Sequence, residues 1–381
     1  MPAVPSVPVA PSVPATPEAK LPAVPSPAVP GGPQPPRDAR NCPAPVETPV
    51  APLPPISPGA SADRRRARGA QSGAKHQVRL PCPPETLRAI RPVLGPSRAS
   101  IGIADQTEAL FADERFGRLG LRVVRRSIGW DALQYGWQTA DVDEWLAGAR
   151  RRGVEPLITF ARSRVEAKRH TLPTPAQFTA AFRAFRQRYP WVRQYSSWNE
   201  ANHCGEARSC RRPDRIAAFY KAIKLNCAGC KVLAADLLDT PNMIEWVLAF
   251  KRAAREEPKI WGLHNYVSAN RFDPGATTAL LQHTTGRVWL TETGGLVARR
   301  NASPIRLEQG PYHAVRVTRF IFQTLARLSP RIQRVYLYHW KSATPRDTWD
   351  SAFVGADNRP RPSLGVLQGV VSARRAALGR R

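Results

Sequence analysis

From residue 100 onward the sequence alternates between short apolar runs and longer amphipathic ones, and the apolar runs end in polar or aromatic residues. Runs at 101–104, 121–125, 156–160, 194–198, 232–235, 260–264, 288–291 and 335–338 have the length and the β-branched or aromatic content of buried strands. Between and after them, 141–152, 175–189, 213–226, 242–256, 311–328 and 363–377 have helical periodicity, several with Pro or Asp in the first turn. Eight such units predict one parallel (β/α)8 TIM barrel, in which every strand delivers its C-terminal residues to the same face. A doubly wound open sheet is the alternative. It calls for a glycine-rich phosphate loop after the first strand, and Ile101-Gly102-Ile103-Ala104-Asp105-Gln106 is not one.

Upstream the texture is different. More than half of the 39 prolines lie in residues 1–60, and Pro2, Pro5, Pro8, Pro11, Pro14 and Pro17 recur every third residue. That is the period of polyproline II, which needs no core. Residues 1–97 are therefore expected to form a disordered Pro/Ala/Val-rich tail or linker, and residues 98–381 the barrel.

The strand ends carry the chemistry. Trp198 is followed by Asn199 and Glu200, and the run 288–291 by Glu292. The third of these strand ends holds His264 and Tyr266, and the last holds His339 and Trp340. Two carboxyl groups converging at the barrel mouth are what glycoside hydrolysis requires. Asp105, Gln106, Asp236 and Asp239 also close strands and are candidates to line the site. His203 and His264 read either as site residues or as structural hydrogen-bonding groups. No His/Asp/Glu set has metal-ligand spacing, and two-carboxylate hydrolysis needs neither metal nor cofactor.

A net charge of +28 invites a nucleic-acid reading. Most of the 57 basic residues are arginines spread along the chain, and no arginine–aromatic alternation of a nucleic-acid module appears, so no nucleic-acid partner is expected. No apolar run is long enough for a membrane span. Four of the six cysteines form the close pairs Cys204/Cys210 and Cys227/Cys230, which fit local disulfides better than a shared zinc site. Disulfides point to an extracellular or cell-surface protein, although no signal peptide is visible in the given start, so another start or another export route is expected. A monomer is expected.

Asn199-Glu200, His264-x-Tyr266, Glu292 and Trp340, in this order on successive strands, resemble clan A of the glycoside hydrolases, the (β/α)8 cellulase, xylanase and xylosidase-type enzymes. The resemblance covers the barrel and not the tail. It implies that Glu200, after strand four, is the general acid/base and that Glu292, after strand seven, is the nucleophile. It also implies that Asn199 donates to a sugar 2-hydroxyl, that Tyr266 orients Glu292, and that Trp340 offers the floor on which a sugar stacks. An arginine on strand two is expected near the nucleophile. Arg125 resembles it, with Arg126 competing because only one of two neighbours on a strand points inward. Asp105 and His264 complete the expected substrate-binding set. One departure stands out: the clan often has a histidine on strand three, where this chain has Phe160-Ala161-Arg162-Ser163. Arg162 reads equally as a contact to an acidic sugar or as a solvent-facing residue. The implied activity is retaining hydrolysis of a β-linked poly- or oligosaccharide. Transglycosylation in the same fold and a non-catalytic carbohydrate-binding barrel are the alternatives.

Overall fold

Eight parallel barrel strands follow one another in the computed structural model, which describes residues 90, 92–93, 96–301 and 303–378. The expectation for residues 1–89 lies outside the described residues. The strands are β1 (Ser100–Ala104), β2 (Val123–Gly129), β3 (Glu155–Ala161), β4 (Gln194–Ser196), β5 (Lys231–Leu233), β6 (Asp236–Leu238), β7 (Ile260–His264), β8 (Arg287–Thr293) and β10 (Ile332–Tyr338), with a small ribbon formed by β9 (Ala298–Arg299) and β11 (Trp349–Asp350). The sheet order is β5-β4-β3-β2-β1-β10-β8-β7-β6.

β5 and β6 are two halves of one barrel strand. The first half pairs with β4 and the second with β7. The residues between them bridge the seam, since the Ala234 amide donates to Ile260 and the Gly262 amide to Ala235, both at 2.9 Å. The chain therefore forms the expected (β/α)8 TIM barrel.

Helices cover the outside. Pro175–Arg188 begins at a capping box in which Thr174 and Gln177 satisfy each other's backbone amides, with Pro175 pre-shaped for the first turn. Phe178, Phe182 and Phe185 share one buried face and meet Phe160 of β3 at ring distances of 5.3, 5.9 and 5.7 Å. Burial of each such ring stabilises by about 2–3 kcal/mol. The first of these helices begins earlier than expected (Gly136–Arg151), and the run 311–328 breaks at Thr324 into Pro311–Gln323 and a 3₁₀ turn, Leu325–Arg327. No helix among the described residues is long and apolar enough to cross a membrane.

Inside the barrel, Ala104, Val123, Leu157, Leu233, Ile260, Trp289 and Tyr336 form an apolar layer. Below it Arg334 donates to Gln194 at 2.5 Å and to Tyr336 at 2.8 Å, and lies 4.0 Å over the Trp289 ring, closing the N-terminal end. One strand expectation changes. β2 continues past Arg125 to Gly129, because both arginines are paired internally and do not mark a strand end. Ahead of β1 the Val93 amide donates to Arg327 at 2.7 Å and Ser97 Oγ to Ala326 at 2.9 Å.

Candidate active site

Alternation along β2 settles the arginine question. Val123 and Arg125 face the interior, whereas Arg126 points outward, where it pairs with Asp141 and lies over Trp145. Arg125 is fully buried. It donates to Asp236 at 2.6 Å, to Glu292 at 2.5 Å and to Asn199 Oδ1 at 2.8 Å. One guanidinium thus joins the second, fourth, fifth and seventh strands of the barrel.

Asp236 sits at the centre of this layer. Its carboxylate also accepts from Thr159 and Ser196, each at 2.9 Å. Burial raises its pKa, but the charge and hydrogen bonds of Arg125 and the nearby His264 ring outweigh that and hold it well below the usual carboxylate range. Gly262 provides the space, because a Cβ there would stand 2.0 Å from Asp236 Oδ1. The sequence marks Asp236 only as one of several strand-end acids.

Glu292 reaches the site through a bulge. Between Leu290 and Thr293, β8 advances three residues while β10 advances two, and Thr291 is skipped against β7 as well. Without that extra residue, strict alternation from the inward-facing Trp289 would turn Glu292 outward; bulges re-aim side chains in this way. Both Glu292 oxygens then accept hydrogen bonds, Oε1 from Arg125 and Oε2 from Tyr266 at 3.0 Å.

Glu200 is held differently. Its φ of 43° is left-handed, a strained conformation for a residue with a Cβ. The flanking amides fix it, with Asn199 donating to Phe160 of β3 at 2.7 Å and Ala201 to Asp236 at 2.9 Å. Its carboxylate is about a quarter exposed and lies 3.2 Å from His264 Nδ1 and 3.8 Å from His203 Nδ1. A disulfide, Cys204–Cys210, closes the loop that follows, and a second joins Cys227 to Cys230.

His264 is buried among three acids. Its Nε2 lies 3.6 Å from Asp236, and its Nδ1 lies 3.7 Å from Glu292 as well as 3.2 Å from Glu200. Burial lowers its pKa, but the Glu292 charge, the nearby Asp236 carboxylate and the hydrogen bond to Glu200 prevail and lift it to about 9. At Glu200 burial pushes upward and is outweighed by His264, leaving that carboxyl below its ordinary value. Glu200, His264 and Glu292 bring one ligand-type atom each within 4.8 Å of one another, a grouping that the sequence spacing did not foresee. A proton on His264 competes for the lone pair a metal would use, so metal binding at this trio would require release of that proton.

A cavity of about 660 Å³ opens over these groups, lined by Asn199, Glu200, Tyr266 and Glu292 from the expected set and by Tyr338, Trp349 and Arg299, which the sequence reading did not single out. Four expected substrate contacts are placed elsewhere. Arg125 and His264 lie beneath the cleft, fully buried, and act on its carboxylates. Trp340 is 1% exposed, donates its indole N–H to Asp113 and packs against Phe116 at 5.7 Å. Asp105 is buried too and accepts from Thr107 and from the Trp340 amide. A strand-end position alone does not show whether later loops cover a residue. The exposed-edge aromatics at the cleft are instead Tyr338 and Trp349, the latter 4.7 Å from Tyr266 and presented by the β9–β11 ribbon.

With that geometry in place, the comparison with known proteins is informative. No family model matches the chain, and no curated protein sequence matches it. Solved structures do. A glucosidase from Croceicoccus marinus is 15% identical over 74% of this chain and 69% of its own, with a TM-score of 0.54. Xylanase 10B from Thermotoga maritima is 11% identical over 73% of this chain and 96% of its own, with a TM-score of 0.54. The GH1 β-glucosidase from Exiguobacterium antarcticum B7 is 11% identical over 74% and 98%, with a TM-score of 0.50. The chain shares its barrel fold with these glucosidase and xylanase structures. At these identities the likeness is one of architecture, and the chemistry must be argued from the residues above.

Proposed function

We propose that this chain is a retaining glycosidase acting on a β-linked poly- or oligosaccharide by double displacement. The observation that carries this reading is the pair Glu200 and Glu292, whose nearest carboxylate oxygens lie within 4.8 Å. A separation of about 5–5.5 Å suits attack by one carboxylate, whereas inverting enzymes leave about 6.5–9.5 Å for a water.

Glu292, gripped on both oxygens, attacks the anomeric carbon. The carbon–leaving-group bond breaks, and Glu200 passes a proton to the departing oxygen. In the second step Glu200 takes a proton from water, the hydroxide attacks the same carbon, and the ester bond to Glu292 breaks. His264 holds the proton that Glu200 must deliver, 3.2 Å away at Nδ1. Asn199 presents its amide nitrogen to the cleft, since Arg125 can only donate and therefore occupies the Asn199 oxygen. That leaves an N–H donor for a sugar hydroxyl. The two disulfides fit a site of action outside the cytoplasm.

The test is a paired substitution. Glu292→Ala should abolish turnover of every substrate by several orders of magnitude. Glu200→Ala should spare the first step with a dinitrophenyl leaving group, and azide should restore turnover, giving a glycosyl azide of unchanged anomeric configuration. Inversion during wild-type turnover, or a fluorinated glycoside labelling Glu200 instead of Glu292, would overturn the assignment. Sugar binding without hydrolysis across a broad panel would favour a binding barrel.

A further inference from the structure

Beside the catalytic cleft a second cavity of about 620 Å³ shares Gln106, Ser127 and Asn199 with it as a common wall. Arg126, Arg162, Arg164 and Arg169 are among its lining residues. The facing carboxyl groups are fewer. Asp141 serves both Arg126 and Arg164, at 2.5 and 2.8 Å, and Glu166 pairs with Arg169 at 2.8 Å. Glu206 meets Arg162 Nε at 3.5 Å, and its carboxyl is pushed up to about 7, first by burial and then by the Glu200 charge. Near neutral pH it therefore carries only part of a negative charge, and the cavity is net positive.

The arginines also keep donors to spare. Arg126 is 3% exposed, and its Nε is buried with no hydrogen-bond partner among the described residues. Arg162 spends Nη1 on the Gly205 carbonyl at 2.7 Å and Nε on Glu206, and Nη2 has no partner among the described residues. Past Arg164, whose guanidinium lies 5.0 Å over the ring, Trp137 is 54% exposed. An indole presented to solvent next to such a cavity is a flat apolar surface on which a sugar ring can stack.

We propose that this cavity is a subsite for a carboxylate-bearing sugar, so that the substrate is a β-linked glycan containing uronic acid. Arg162 and Arg164 grip the carboxylate, and Trp137 stacks the sugar beyond it. Arg162 Nη2 and the Arg164 guanidinium each offer a charge-assisted hydrogen bond to such a carboxylate. This assignment rests on the glycosidase reading, and it gives Arg162 a role that a neutral glycan would not require.

The experiment reads binding, not turnover. The full chain carrying Glu292→Gln is titrated calorimetrically with cellohexaose and with the same hexasaccharide oxidised to a carboxylate at each C6. The oxidised sugar is expected to bind at least about tenfold more tightly, the strength of a charge-assisted hydrogen bond. Arg162→Gln should remove most of that margin and Arg164→Gln a several-fold part of it, while Trp137→Ala should weaken both sugars alike. Arg164 is half exposed, so its substitution tests the idea without endangering the fold, and an unchanged melting temperature confirms this. Absence of a preference for the oxidised sugar, including failure of both to bind, would overturn the proposal, as would a preference that survives both arginine substitutions. Salt-sensitive binding of an oligothymidylate that both substitutions weaken would reassign the cavity to nucleic acid. Loss of the catalytic reading would appear in the hydrolysis assay alone and would leave this binding preference intact.

Discussion

His264 Nδ1 stands 3.2 Å from Glu200 Oε1, close enough for the two groups to share a proton. Glu292 and Asp236 also favour the charged ring, which biases that proton toward the imidazole. In the proposed mechanism, attack turns Glu292 into a neutral ester and removes the largest charge that favours the imidazolium. Formation of the intermediate therefore weakens the hold of His264 on its proton at the step in which Glu200 must act.

The pH profile should show this. With His264 present, the alkaline limb of kcat/KM reports loss of the shared proton near 9. In His264→Gln the proton belongs to Glu200 alone, and the limb should move to lower pH. Equal alkaline limbs in the two proteins would rule out the relay. The linked effect on stability has a definite sign. A raised histidine pKa contributes stability in full below about 6.5, lost as pH rises through about 9.

Arg125 should matter for the fold as much as for the site. Arg125→Met leaves Asp236 buried with no cationic partner on that side and frees one oxygen of Glu292. Removing one partner of a buried pair costs about 3–5 kcal/mol, measurable by denaturant titration. A change below about 1 kcal/mol would show that the barrel interior tolerates the lone carboxylate.

The Cys204–Cys210 bridge should protect the acid/base loop. In the chain-entropy account, replacing both residues by serine should destabilise by about 2 kcal/mol. Because the bridge closes the loop that begins at the strained Glu200, hydrolysis should fall more than the binding of sugar does. Equal losses in kcat and in affinity would place the effect in global stability.

The N-terminal boundary is testable by truncation. A chain beginning at residue 98 loses the hydrogen bonds of Val93 to Arg327 and of Ser97 to Ala326. It should be about 1–2 kcal/mol less stable than one beginning at residue 85, with the barrel and its activity kept in both. Identical melting curves would show that these anchors contribute nothing.

The order of elements was legible in the sequence because each barrel strand is buried on both faces and each helix on one. Those two patterns survive in a single chain of letters, as at Val288–Leu290 and at Phe178, Phe182 and Phe185. They located Glu200 and Glu292 at strand ends, while the contact of Tyr266 with Glu292 was what the family resemblance implied. What the sequence could not decide depends on register and on what covers a residue. The bulge that turns Glu292 inward is a mismatch of one residue against two neighbours, and nothing in Val288-Trp289-Leu290-Thr291-Glu292 reports it. The choice of Arg125 over Arg126 needed the phase of β2, and the demotion of Trp340 needed Phe116 and Asp113 to close over it. Tertiary packing alone brought Asp236 opposite Gly262 and set Glu206 behind Glu200, because these contacts join separate strands and loops through space. Local pattern carries the burial of each element; the electrostatics of the site arise only where the elements meet.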